Sequence, residues 1–288
     1  MAESPAEPPF TRIGPEIPAS PVVISVPHAG RAYSEALLRA SRLPRAKLEA
    51  LEDRLVDRLV WRAVATGAAA LVARAPRAEI DLNRDEREID AAMVVPPPPA
   101  RSLLASPRTR GGLGLVPSRI SGAGSIWLQR LTEADLAHRI ETIHRPYHAA
   151  LDDMLEQVRR RFGTAILLDC HSMPPRLGET GGAGIVFGDR YGTSMAPDYV
   201  RAAVAAAEHA GFASACNAPY AGGYITVRHG RPAENIHALQ LEIDRSLYLD
   251  DQLRDPGPGF DAAAAMIAAV AEALAARVLE PPQAIAAE

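Results

Sequence analysis

Apolar and polar positions divide this chain into short apolar runs and longer helical stretches. Residues 21–26 (PVVISV) and 165–168 (AILL) are continuous apolar runs near Gly or Pro, the pattern of buried strands. Residues 237–243 (HALQLEI) alternate instead, with Leu239, Leu241 and Ile243 on one side and Gln240 and Glu242 on the other. Shorter strands are expected at 68–73, 79–82, 114–116, 185–187, 212–215 and 224–227. Helical spacing marks 48–66, where Leu48, Leu51, Leu55, Val56 and Leu59 share a broad face. A second helix starts near Thr132, with a capping box closed by Asp135, and must kink or split at Pro146. Residues 197–208 and 259–278 are Ala-rich helices. Residues 1–20 read as an extended arm and the last ten as a tail. Residues 91–126, with Pro96 to Pro99 and several glycines, read as an irregular excursion over the sheet, a candidate lid. Strands interspersed with helices predict a single-domain α/β fold with its core at about 12–280.

In an open α/β sheet, ligands sit beyond the carboxyl ends of the strands. The run at 165–168 leads into Asp169, Cys170 and His171, where Asp169 and His171 face one way and Cys170 the other. The run at 21–26 leads in the same manner into Pro27 and His28. Glu242 lies in the middle of an apolar strand, a costly place for a carboxylate that has neither partner nor task, and so marks a candidate general base. Acidic residues crowd the 48–66 helix: Glu52, Asp53 and Asp57, with Asp53 and Asp57 expected to stack on one side. Two imidazoles and one carboxylate, with water in the fourth position, make a catalytic zinc site. A further carboxylate takes the proton of the water, and Asp169 is placed to orient an imidazole. The pattern does not choose among Glu52, Asp53 and Asp57. His144 and His148 are four apart but lack the Glu of HExxH, so His148 or Arg145 lining a pocket is the favoured reading.

Composition narrows the classes. The 288 residues are 48 % apolar and 23 % charged, as in ordinary globular proteins. A net charge of -4 supplies no basic field for nucleic acid. The two cysteines, Cys170 and Cys216, form no disulfide framework and fit a reducing compartment. The start MAESPAEPPF lacks the basic and apolar regions of an export signal, and charges interrupt the Ala-rich helices, so no membrane span and a cytoplasmic location are expected. The glycines match neither a dinucleotide fingerprint nor a P-loop.

From about residue 12 to 255 the chain resembles the N-formylglutamate amidohydrolase family. The resemblance rests on VPHAG around His28, VDRL after Asp53, DLNR ending at Arg84, GSIW before Leu128 and RPYHAAL from Arg145. It continues through DCHSM from Asp169, GDRYG before Ser194, GGYITVRHG ending at Gly230, and IHALQLEI before Leu247 and Tyr248. It implies a fold similar to the zinc carboxypeptidases, a three-layer α/β/α arrangement around a mostly parallel mixed sheet, and one zinc ion held by His28, Asp53 and His171. It further implies Glu242 as the catalytic glutamate, with Asp169 and Asp57 around the metal ligands. Arg84 and Arg228 would hold substrate carboxylates, aided by Asn83, Arg145 and Tyr224, with Arg84 also supporting catalysis. The implied reaction is hydrolysis of N-formyl-L-glutamate to formate and glutamate by a monomer or weak homo-oligomer. Family members of the histidine pathway tend to read DTDWHVDRLY where this chain has LEDRLVDRL, with Leu55 in place of a histidine, and many have Gly at the position of Cys170. These departures keep open another N-acyl amino acid or short peptide as substrate. A metal-binding structural protein is the non-enzymatic alternative.

Overall fold

A computed structural model describes residues 8–176 and 182–280. The reading of residues 1–7 and 281–288 as arm and tail lies outside them. Among the described residues, seven strands form one sheet: β1 Phe10–Ile13, β2 Val22–Val26, β3 Ala69–Ala73, β4 Ala165–Met173, β5 Ile185–Gly188, β6 Ser214–Cys216 and β7 Ile236–Asp244. Their spatial order is β1-β3-β2-β4-β7-β5-β6. The pairs β3–β2, β2–β4, β4–β7 and β5–β6 are parallel, while β1–β3 and β7–β5 are antiparallel. The protein is therefore α/β with a mostly parallel mixed sheet.

The apolar strands are buried on both faces because helices cover both. On one face Ile24, Val72, Leu168, Cys170, Leu239 and Leu241 pack under Val56–Leu59, Trp61–Ala65, α2 (Pro197–His209) and α4 (Phe260–Leu279). On the other, Val23, Leu71, Leu167 and Ala238 pack under α1 (Arg145–Phe162) and the turns before it. The second face changes character along the strands. Beyond Val23, Leu167 and Ala238 the same side of the pleat presents Ser25, Asp169, His171, Gln240 and Glu242, all buried. In register, Gln240 lies beside Asp169 and Glu242 beside His171. The polar site is thus the continuation of an apolar face toward the strands' carboxyl ends.

Several elements differ from the sequence reading. Phe10–Ile13 is not loose arm but an antiparallel edge strand on β3. β4 continues through the DCHSM text instead of ending at Asp169, because β7 offers nine residues of matching parallel register. The 48–66 helix is broken into Arg45–Leu48, a 3-10 turn at Glu49–Leu51, Val56–Leu59 and Trp61–Ala65. The break is held by Asp53 N–H donating to His28 O at 2.9 Å and by Leu55 in the left-handed region at φ 62°. Consequently Asp53 and Asp57 do not share a helical face. Residues 79–82 and 114–116 form no strand. The helix after Thr132 keeps its capping box and divides at a π-helical turn, Ile140–His144, so that Pro146 falls in the first turn of α1. Residues 224–227, rich in β-branched side chains, are helical, in α3 Tyr224–His229. Asn83 Oδ1 accepts from Ile225 N–H at 2.8 Å and supplies a partner for that helix start from another part of the fold, overriding local propensity. Among the described residues, α4 is long and apolar enough to cross a membrane by length and composition, but Ala263, Met266, Ile267, Val270 and Leu274 are buried in the core.

Candidate functional site

Three side chains from three segments converge. His28 follows β2, Asp53 sits in the break between helical turns, and His171 lies in β4. One donor atom from each lies within 4.8 Å of the others, and all three residues are buried. His28 Nδ1 and His171 Nδ1 are 3.1 Å apart, and Asp53 Oδ2 lies 3.2 Å from the first and 2.9 Å from the second. The outer nitrogens have their own acceptors. His28 Nε2 faces Asp81 Oδ1 at 2.7 Å, and His171 Nε2 faces Asp169 Oδ2 at 2.8 Å. A carboxylate accepts only, so each Nε2 carries the proton and each Nδ1 can turn its lone pair inward. Asp169 is itself held by Ser25, whose hydroxyl donates at 2.8 Å.

The electrostatics favour positive charge at this centre. Burial opposes ionisation of Asp53, but the two histidines outweigh it and hold its pKa well below the usual carboxylate range. Burial likewise opposes charge on His171, yet Asp169 and Asp53 push its pKa well above the usual imidazole range. Asp81 is depressed well below its ordinary value because Arg77, Arg84 and His28 outweigh its burial. Two inward nitrogens and a carboxylate oxygen, each braced from behind, are the donor chemistry of a zinc site, so the residues fit the ion that the sequence resemblance implies.

Beside this centre lies a cavity of about 410 Å3 lined by Arg77, Asn83, Arg84, Glu242 and Arg245 among others. A larger groove of about 710 Å3 beside Trp127 and Arg139 contains none of the converging residues. Chemistry rather than size therefore singles out the smaller one. Glu242 projects from β7 into it, and burial raises its pKa to about 7. Gln240 Nε2 donates to Glu242 Oε1 at 2.9 Å and fixes its position. Arg245 donates to Ser172 Oγ at 3.0 Å and Glu52 O at 2.6 Å, and lies 3.4 Å from Asp53 Oδ1, bracing the outer side of that carboxylate.

The structure sorts the residues singled out from sequence. It brings together His28, Asp53, His171, Asp169, Asn83, Arg84 and Glu242. Of the three acidic candidates only Asp53 reaches the histidines. Glu52 accepts from Tyr33 and Arg54 instead, at 2.8 and 3.1 Å. Asp57 does not stand beside His28, Asp53 and His171: its carboxylate takes both Arg31 nitrogens. Arg145 points away, paired with Glu86 at 2.9 Å with its side chain 59 % exposed. Arg228 hydrogen-bonds Tyr224 Oη at 3.1 Å and lies 3.6 Å from Asp152, outside the cavity. Tyr224 lines a neighbouring cavity. The helical form of 224–229 explains the last two placements, since a helix turns these side chains off the strand face they were assigned to. His144 and His148 bind backbone: Arg84 O at 2.9 Å and Leu82 O at 3.0 Å. They thereby support the DLNR segment from beneath. The excursion at 91–126 lines the cavity through Arg108, Leu113 and Arg119. Sequence reasoning singled out no task for Asp81, Arg77 or Gln240 individually and passed over Arg245. Gln240 carried a usable signal, because it shares the pleat side of Glu242.

A mostly parallel α/β sheet whose strand ends gather two braced imidazoles, a carboxylate and a near-neutral glutamate has the equipment of a hydrolytic enzyme. The chain belongs to the N-formylglutamate amidohydrolase family, whose model matches residues 20–249. An N-formylglutamate deformylase of Pseudomonas putida is 31% identical over 237 residues, covering 80% of this chain and 82% of its own length. An N-formylglutamate deformylase of Pseudomonas aeruginosa is 28% identical over 240 residues, covering 81% of this chain and 83% of its own length. The crystal structure of an N-formylglutamate amidohydrolase from Ralstonia eutropha JMP134 is similar throughout. It has a TM-score of 0.86 and 34% identity, covering 94% of this chain and 98% of that one. The protein is thus a hydrolase by family.

Proposed function

We propose that this enzyme hydrolyses N-formyl-L-glutamate to formate and L-glutamate with one zinc ion held by His28, Asp53 and His171. The observation that carries the reading is the meeting of those three donors, each backed by a partner, beside Glu242 in a cavity walled by arginines. When bound, the ion supplies Lewis-acid polarisation of the formyl carbonyl and acidifies water near neutral pH. Glu242 takes the proton of the attacking water and gives it to the departing amine nitrogen. Burial, which raises its pKa, favours its uptake of that proton. Gln240 keeps Glu242 in reach of both positions. Asp169 and Asp81 hold the two imidazoles in the tautomer that faces inward. Arg84, with Asn83 beside it, binds a substrate carboxylate and draws the dianion into a cavity rich in guanidinium groups. Breakdown of histidine in the cytoplasm is the setting we assign to this activity.

The test compares release of formate from N-formyl-L-glutamate with release of acetate from N-acetyl-L-glutamate by the zinc-loaded protein. Rapid turnover of the formyl compound supports the reading. Folded, zinc-loaded protein that releases no formate refutes it.

A further inference from the structure

A second cavity, about 470 Å3 in volume, adjoins the first, and Asn83, Arg84 and Arg108 line both. We propose that Arg190 and Arg108 make this second cavity a carboxylate subsite that holds the distal carboxylate of an N-acyl amino diacid. The proposal rests on the formylglutamate reading and says which residues select the diacid.

Uncommitted positive charge is the first argument. Arg77 and Arg245 in the first cavity are tied to Asp81 and to Ser172 and Glu52 O respectively. Arg84 Nε and Nη1 donate to Leu113 O at 2.9 Å and Asn83 O at 2.6 Å. In the second cavity, Arg87 is closed on Asp85 by two bonds of 2.8 Å. Among the described residues, the Arg108 guanidinium has no ion pair or hydrogen bond, and Arg190 has only a long contact of 3.4 Å to Gly222 O. Asp85 and Glu88 also line this cavity, but among the described residues neither pairs with Arg108 or Arg190. Two unpaired guanidinium groups facing one cavity make a binding site for an anion, and their planar forks match a carboxylate.

The second argument is how Arg190 is held. Arg190 and Tyr191 are consecutive non-glycine residues in the left-handed region, at φ 56° and 55°. That backbone is costly and persists only where the surroundings enforce it. Asn217 does so. Its Oδ1 accepts from Asp189 N–H at 3.2 Å and Tyr191 N–H at 3.3 Å, and its Nδ2 donates to Asp189 Oδ1 at 2.7 Å. Arg190 N–H donates to Ala221 O at 2.8 Å. The Arg190 side chain then runs over Gly222, where a Cβ would come within 2.9 Å of Arg190 Cδ. The next residue, Gly223, lies against Asn83, where a Cβ would meet the amide at 2.3 Å. The glycine pair thus allows Arg190 and Asn83 to approach the same short loop from the two cavities.

The experiment compares N-formyl-L-glutamate with N-formyl-L-glutamine, which differs by a neutral amide in place of the distal carboxylate. It uses the zinc-loaded wild type and Arg190→Asn, since Asn tolerates the left-handed backbone. The wild type should favour the glutamate compound in kcat/KM. Arg190→Asn should reduce that preference at least about tenfold, chiefly through KM, as expected for a lost hydrogen bond to a charged group. Arg108→Ala, at an exposed position on the other wall, carries the same expectation and stands in if the first variant does not fold. Variants that lose activity on both substrates equally, or on neither, overturn the subsite while leaving formylglutamate hydrolysis intact. Wild-type protein that hydrolyses neither compound overturns the underlying reading and the subsite with it.

Discussion

Asp81 Oδ1 lies 2.7 Å from His28 Nε2, although 53 residues separate them in sequence. Asp81 also accepts from Arg77 Nε at 2.9 Å and from Asn83 N–H at 2.9 Å. One carboxylate therefore orients an imidazole, anchors an arginine of the cavity and shapes the turn that carries Asn83. Replacing it by Asn keeps the shape and removes the charge. Asp81→Asn should weaken zinc binding about 10–100-fold, the usual cost of losing a partner behind a ligand. Competition with a chromophoric chelator reads this directly, and unchanged affinity would show that Asp81 does not orient His28.

Glu242 is assigned the proton transfers. Glu242→Gln should lower kcat by about 10²–10⁴-fold while the protein still binds one zinc ion. Kinetics paired with metal analysis of the same preparation check it. A fully active variant would remove Glu242 from the chemistry.

The same carboxyl has a stability signature in metal-free protein. Its pKa in the folded state is raised to about 7 by burial, against about 4.3 in an unfolded chain. The folded state thus holds this proton more tightly. Stability from this group is full below the unfolded value and declines as pH rises toward 7. Metal-free Glu242→Gln should be more stable than the wild type at pH 8, by about 1–3 kcal/mol. The difference should shrink as pH falls below 7. Urea unfolding at pH 8 and pH 5 measures it, and a variant less stable than wild type at pH 8 would contradict the buried, ionised placement.

Arg145 supplies the opposite kind of test. Its side chain is 59 % exposed and paired with Glu86 on the surface. Arg145→Ala should leave KM for N-formyl-L-glutamate within about twofold and stability within about 1 kcal/mol, as for exposed ion pairs generally. A large rise in KM would return Arg145 to the binding site.

These outcomes bear on what the sequence made legible. Alternation along β7 and the apolar runs of β2 and β4 fixed which residues face together, so Cys170 turned away from Asp169 and His171 as the pleat requires. The helix break at Glu52 to Leu55 was hidden, because Leu48, Leu51, Leu55 and Leu59 keep a helical rhythm even though Leu55 is left-handed. That break is what delivers Asp53 to the histidines. The α3 segment was misread for the complementary reason: Ile225, Thr226 and Val227 favour strands, and only the distant Asn83 supplies the bond that secures a helix start. Asp81 stood in plain view within DLNR but among so many carboxylates and arginines that no periodicity marked it. Long-range partners, not local pattern, decided each of these cases.

Metal removal tests the central claim most directly. Purified enzyme would be assayed on N-formyl-L-glutamate before chelation, after chelation, and after return of one equivalent of zinc, with His171→Ala treated in parallel. The account predicts activity that disappears with chelation, returns at one equivalent in the wild type, and does not return in the variant. Full activity in protein shown by metal analysis to be free of zinc and other divalent ions would contradict it.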